Sequence, residues 1–147
     1  MSEYYDQIFC EIHEEYSIVI EDDGRVCYAY LLQDDKIIGD IWLYNQSDAP
    51  SKTEWRREDM PFLNPREFLK DGIVLKPITS DKEIGLEWVF SDKSGVLDQV
   101  RIFIHGLLTA IVKPDSKPGW SVNVVKDGPL ACRAPVPARG SRRYTDR

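Results

Sequence analysis

The stretch from Tyr16 to Tyr44 constrains this chain more than any other. Ile18-Val19-Ile20 is β-branched and favours extended backbone. Glu21-Asp22-Asp23-Gly24 follows, and Asp-Gly between two alternating apolar segments is a strong hairpin signal. From Arg25 to Gln33, Val26, Tyr28, Tyr30 and Leu32 share one parity, with Cys27, Ala29 and Leu31 on the other. Both faces are apolar, so this strand is expected to be central. Asp34-Asp35 makes the next turn. From Lys36 to Tyr44, Ile37, Gly39, Ile41 and Leu43 oppose Ile38, Asp40, Trp42 and Tyr44. The spacing predicts a three-stranded antiparallel meander over 16–44.

The flanks are less determined. Residues 8–20 continue the period of two, with Ile8, Cys10, Ile12, Tyr16, Ile18 and Ile20 on one side. Tyr5, Ile8 and Ile12 also fall on a helical stripe behind Ser2, so residues 3–14 stay open between helix and strand. Between 45 and 72, Pro50, Pro61 and Pro65 leave little room for a strand. Asn64 as a cap, Pro65 at the first helical position and Gly72 beyond the end predict a short helix near 65–70.

The second half returns to strand patterns over 73–77, 83–90, 96–104, 107–112 and 120–125, separated by turns such as Ser91–Gly95 and His105-Gly106. The expected fold is mainly β, an antiparallel meander forming a curled sheet or sandwich of about 7–8 strands. The 147 residues read as a single domain over 1–132 and an Arg/Pro-rich disordered tail over 133–147.

Charge is distributed unevenly along this frame. The net charge is −6, yet residues 1–50 hold twelve acids against only Arg25 and Lys36. Residues 133–147 hold five arginines against Asp146. An acidic surface raises the on-rate and specificity for a basic partner. It repels nucleic acid, so contact with nucleic acid is expected only through the tail, if at all. No apolar run approaches the roughly 18 residues of a membrane helix, and the acidic N-terminus carries no secretory signal pattern. Three cysteines cannot all pair internally, which suits a reducing, cytoplasmic setting.

Catalytic motifs are not evident. The sequence has no phosphate-cradling glycine loop and no G-x-S-x-G elbow. Cys10, His13, Cys27, His105 and Cys132 lack metal-ligand spacing, so no metal, cofactor or catalytic residue is assigned. Cys10 and Cys27 read as core thiols, and His105 as a turn residue. Asp40 shares a strand face with Trp42 and Tyr44, where a desolvated carboxylate would have a raised pKa.

Four tryptophans and seven tyrosines exceed what a small core needs. Tryptophan and tyrosine are common interface anchors. The expected function is therefore non-enzymatic partner binding, in its sharpest form an acidic inhibitor or immunity-type protein that masks a basic protein such as a toxin. The expected contact residues are Asp22, Asp23, Asp34, Asp35, Asp40, Trp42, Tyr44 and Trp55. The alternative is a small-ligand site or small enzyme with a carboxylate and aromatic pocket beneath the 46–63 loop, lined by Asp40, Trp42, Tyr44, Trp55 and His105.

Overall fold

The computed structural model describes residues 3–134, apart from 53–54, 57, 59, 73–75 and 92–94. The meander is present, but two β-bulges shift the register between residues 26–33 and 36–45, at Leu31/Leu32 and at Cys27/Tyr28. The second puts Tyr44 on the face opposite Asp40 and Trp42, against the alternation expected there. Strands β1 (Tyr4–Phe9), β2 (Tyr16–Asp22), β3 (Val26–Gln33) and β4 (Lys36–Asn45) form an antiparallel sheet in sequence order. The β2–β3 turn has Gly24 at φ 90, a conformation glycine adopts without strain. Asp23 Oδ1 fixes this turn by accepting from the backbone N–H groups of Arg25 (2.8 Å) and Val26 (2.9 Å). The β3–β4 turn places Asp34 and Asp35 at φ 52 and 68, the left-handed pair that matches the twist of a two-residue hairpin.

Within residues 3–14, Tyr4–Phe9 is strand rather than helix, but the strand does not run unbroken to Ile20. A turn over Cys10–Glu15 separates β1 from β2, closed by bonds from Cys10 N to Tyr16 O and from Tyr16 N to His13 O, both 3.0 Å. Glu11, Glu14 and Glu15 are all exposed there. Burying alternate members of that charged run would carry a desolvation penalty that a turn avoids.

The second sheet contains β5 (Ile84–Phe90), β6 (Leu97–Ile104), β7 (Leu107–Val112), β8 (Trp120–Ser121) and β9 (Cys132–Arg133). All its pairings are antiparallel except the short parallel pair of β8 and β9. The core lies between the sheets. Ile18, Ile20, Leu31, Ile41 and Leu43 from the first are fully buried with Val100, Ile102, Ala110 and Val112 from the second.

Local expectations differ from the structure in four places. The helix near 65–70 is one 3-10 turn, Arg66–Phe68, because Pro65 and Leu69 are both extended and Leu69 bridges to Val124. Asn64 does not cap it. Its N–H instead donates to Asn45 Oδ1 (2.9 Å) and its carbonyl accepts from Asn45 Nδ2 (2.9 Å). The last predicted strand shortens to Trp120–Ser121, because residues 122–123 turn before Val124 reaches that bridge. Arg133 lies in a strand of the second sheet and the Ala134 N–H donates to Ser121 O (3.0 Å), so residues 133–134 pack with the body. Residues 73–75 of the predicted 73–77 strand, and the rest of the tail, lie outside the described residues.

One feature of the sheet edges positions everything that follows. The outer edge of β4 is tied to the second sheet: Asp115 N donates to Ile38 O (2.6 Å), Asp40 N to Ser116 O (3.0 Å), Gly119 N to Asp40 O (2.7 Å) and Trp42 N to Leu130 O (3.2 Å). Gly39 permits this approach, since a Cβ there would lie 2.9 Å from both Lys113 O and Val112 Cγ2. At the opposite side, β1 and β5 are edge strands. Segments flanking β8 thus hold the β4 edge, while the β1 and β5 edges stay without a strand partner among the described residues.

Candidate functional site

Strand pairing decides which side chains share the outer face of the first sheet. Glu21 lies opposite Tyr28, Val19 opposite Tyr30, Tyr28 opposite Trp42, and Tyr30 opposite Asp40. Because neighbours in register point the same way, Glu21, Tyr28, Tyr30, Asp40 and Trp42 belong to one face. The residues of opposite parity, Ile18, Ile20, Leu31 and Ile41, enter the core.

Tyr28 and Tyr30 stack with ring centroids 6.2 Å apart and planes within 14°. The Tyr28 hydroxyl donates to Phe62 O at 2.7 Å, which brings the 60–63 segment over this part of the sheet. Arg25 reinforces it through its guanidinium to Pro61 O. The result is a concavity of about 330 Å³ lined by Glu21, Asp23, Val26, Tyr28, Tyr30, Met60 and Pro61. Met60 is 60% exposed at its rim.

Carboxylates prevail on this face, with the Arg25 guanidinium as the opposing charge at Tyr28. Burial pushes the Tyr30 phenol up to about 12, and the carboxylates of Glu21 and Asp40 push it further in the same direction. Tyr28 is raised by burial first, then by Tyr30 and Asp40. Both rings stay neutral at physiological pH and sit in a negative field. Burial also raises Asp40, opposed by the Lys117 ammonium. Carboxylates beside stacked phenol rings favour a cationic side chain, through charge and through the ring faces.

The residues named from sequence divide into three groups. Asp40 and Trp42 lie on this face, and Asp23 lines its concavity, but Trp42 is only 2% exposed, with Nε1 donating to Asn45 Oδ1 (2.9 Å). Asp22 and Tyr44 point into the interior. Asp22 accepts from Tyr44 Oη (2.6 Å), Gly24 N (2.9 Å) and Gln46 Nε2 (2.9 and 2.8 Å). Asp34 and Asp35 are exposed at the far end of β3, eight residues away from the Asp23 turn, a separation of about 27 Å in extended chain. Trp55 packs edge-on against Phe62 at 5.2 Å, on the loop that covers the sheet.

The five side chains expected to line one pocket do not meet. Trp42 and Tyr44 are enclosed on opposite faces of β4. His105 is in the β6–β7 turn, where Nε2 lies 3.0 Å from Lys76 O and Nδ1 lies 3.9 Å from Glu83. A cavity does open beneath the loop, but with other lining residues. Glu21, Tyr28, Tyr30, Met60 and Pro61 were the ones sequence reasoning missed. Their shared parity was visible for Tyr28 and Tyr30. Because both faces of β3 are apolar, nothing in the sequence said which face turned outward.

Further concavities lie among the described residues. One of about 450 Å³ is lined by Arg25, Pro50, Ser51, Lys52, Phe62, Leu63 and Pro65. The other, of about 730 Å³, lies between β1 and β5. Cys10 and Cys27 are buried, as core thiols should be. Among the described residues, no helix is long and apolar enough to cross a membrane.

These features define a two-sheet β domain with an acidic tyrosine face and one open seam. The chain matches no family model, curated protein or solved structure with which it was compared.

Proposed function

We propose that this domain binds a protein with a basic surface and does so without catalysis, as an acidic inhibitor or immunity-type protein would. The observation that carries this reading is the outer face of the first sheet, where Glu21, Asp23 and Asp40 surround the stacked pair Tyr28 and Tyr30. A lysine or arginine entering this concavity meets ring faces on one side and carboxylates on the other. Desolvated charge and aromatic contact are the features that concentrate binding energy at interface hot spots. The excess of acids in residues 1–50 extends the same field outward and supports steering of a basic partner.

A second reading is favoured by one observation. The concavity is covered by the 60–63 segment and falls within the lower range of small-ligand sites, about 300 Å³ and above. In that case the occupant is a small organic cation, held by the same rings and carboxylates.

Titration with a capped oligo-arginine peptide, followed through backbone amide shifts, tests the main reading. Shifts concentrated at Glu21, Asp23, Tyr28 and Tyr30, and lost in Tyr30→Ala, support it. Shifts spread over every acidic surface, or centred on Asp34 and Asp35, contradict it. A quaternary ammonium amino acid that saturates the same amides while the peptide does not would favour the second reading.

A further inference from the structure

The open seam between β1 and β5 offers a different kind of contact. β1 pairs only with β2, and β5 only with β6. Antiparallel ladders alternate, so every second residue directs its backbone N–H and C=O away from the neighbour. The bond from Cys10 N to Tyr16 O sets the phase in β1, and the bond from His105 N to Glu83 O sets it in β5. Tyr5, Gln7 and Phe9 of β1, and Leu86 and Trp88 of β5, therefore turn their backbone groups outward. Among the described residues, none of these groups makes a backbone hydrogen bond across the seam.

The two edges run in the same direction. Tyr4, at the start of β1, lies within the field of Asp81 and Glu83, just before β5. His13, after β1, lies with its ring 4.6 Å from Phe90, the last residue of β5. Between these ends is the groove of about 730 Å³. Its walls include half-buried Leu86, Trp88 and Phe90, and the exposed apolar side chains of Phe9 (51%) and Ile12 (78%). The ionisable side chains on the wall are Asp6, Glu11, Asp81 and Glu87, with the Cys10 thiol, and there is no lysine or arginine. Arg101 meets Glu87 at 3.1 Å; among the described residues the other three acids carry no such pair.

We propose that this groove accepts an extended segment of the basic partner, added as a β-strand between β1 and β5 and built of alternating apolar and basic side chains. The proposal rests on the reading of the domain as a binder of basic protein and names where a strand of that partner docks. Strand addition supplies main-chain hydrogen bonds from both edges, while the alternating side chains supply specificity. Apolar side chains of the added strand cover Leu86, Trp88 and Phe90. Basic side chains meet Glu11 and Asp81, which flank the two edges, whereas Asp6 shares the interior side with Ile20 and accepts from the Tyr4 hydroxyl (3.1 Å). A second copy of this chain is disfavoured by the same charges, since like charges across a strand pair are destabilising. The chain's own residues 135–147 are basic, but contain Pro135, Pro137 and Gly140, with Val136 and Tyr144 as the large apolar side chains. That sequence lacks the alternation the groove asks for.

The test uses the full chain and a short capped peptide of alternating lysine and valine, with a glutamate–valine peptide as control. Hydrogen exchange read amide by amide is expected to slow at least about tenfold at Tyr5, Gln7, Phe9, Leu86 and Trp88 on adding the lysine peptide, and not with the control. Gln7→Pro removes one outward donor on an edge strand and should abolish the protection. Should that variant fail to fold, the paired exposed changes Glu11→Lys and Asp81→Lys should weaken peptide binding about tenfold while the domain stays folded.

Protection confined to Tyr28 and Tyr30 overturns strand addition and leaves the binding of basic protein standing. Absence of any protected or shifted site overturns both. Edge amides already protected in the free protein, with a mass that stays monomeric or doubles, overturn the proposal in favour of the chain's own tail or a second copy respectively.

Discussion

The Tyr44 hydroxyl donates to the buried carboxylate of Asp22 at 2.6 Å and accepts from the backbone N–H of Ile78 at 2.9 Å. One side chain thus ties the end of β4 to the first hairpin and to the segment leading into the second sheet. Burial comes first among the causes that raise the Tyr44 phenol, so the ring stays neutral and remains a donor throughout the stable pH range. Asp22 and Tyr44, both expected from sequence to contact a partner, hold the fold together instead.

Tyr44→Phe should therefore lower stability without altering binding. It leaves the Ile78 N–H without its acceptor and removes one donor from Asp22, a loss of about 1–3 kcal/mol. Urea unfolding measures it. Asp22→Lys places an unpaired cation in the same interior site and should prevent folding. Charge reversal intended to probe binding must spare this position.

Gly39→Ala tests the closed seam. The added methyl meets Lys113 O and Val112 Cγ2 at 2.9 Å, and Lys113 O is backbone that cannot swing aside. A destabilisation of about 1–3 kcal/mol is expected, as for overpacking elsewhere in well-packed cores. Thermal unfolding of the variant reads it directly. An unchanged midpoint would mean that β4 and the 115–119 segment do not pack as closely as described.

Asp40 gives a prediction in pH. Its carboxyl is held above the ordinary value of 3.8 by burial, with Lys117 opposing. The folded chain thus binds this proton more tightly than the unfolded chain does. Ionised Asp40 costs stability above its folded pKa, and the cost fades as pH falls toward 3.8 and below. Asp40→Asn should be more stable than the parent near neutral pH. The difference should vanish in acid. Paired urea titrations at the two pH values check both the sign and the window.

The meander was legible because turn chemistry and a period of two agreed over Tyr16–Tyr44. Asp23-Gly24 and Asp34-Asp35 mark the turns on either side of β3, but the two bulges that shift the β3–β4 register left no local sign in the sequence. Facing direction was a different matter. Asp22, Trp42 and Tyr44 look like surface candidates, an acid and two amphipathic rings, until their partners are known. Gln46 and Ile78 lie outside the strands of Asp22 and Tyr44, and Asn45 lies at the end of Trp42's own strand; all three satisfy polar atoms inside the fold. The 3-10 turn at Arg66–Phe68 differs from the predicted helix for a related reason. The Leu69–Val124 bridge is a tertiary contact, and it extends the chain where local capping signals would have continued a helix.

Two charge-neutralised variants with equal charge change distinguish a tyrosine-face site from diffuse attraction most directly. Glu21→Gln with Asp23→Asn alters the tyrosine face while keeping an acceptor at position 23 for the turn bonds of Arg25 and Val26. Asp34→Asn with Asp35→Asn alters the opposite end of β3, where asparagine also tolerates the left-handed conformation. The affinity of each for the same oligo-arginine peptide at one ionic strength is the measurement. The first pair should weaken binding about tenfold and the second by less than about twofold. Equal losses would contradict a site at Tyr28 and Tyr30 and reduce the interaction to diffuse attraction by an acidic chain.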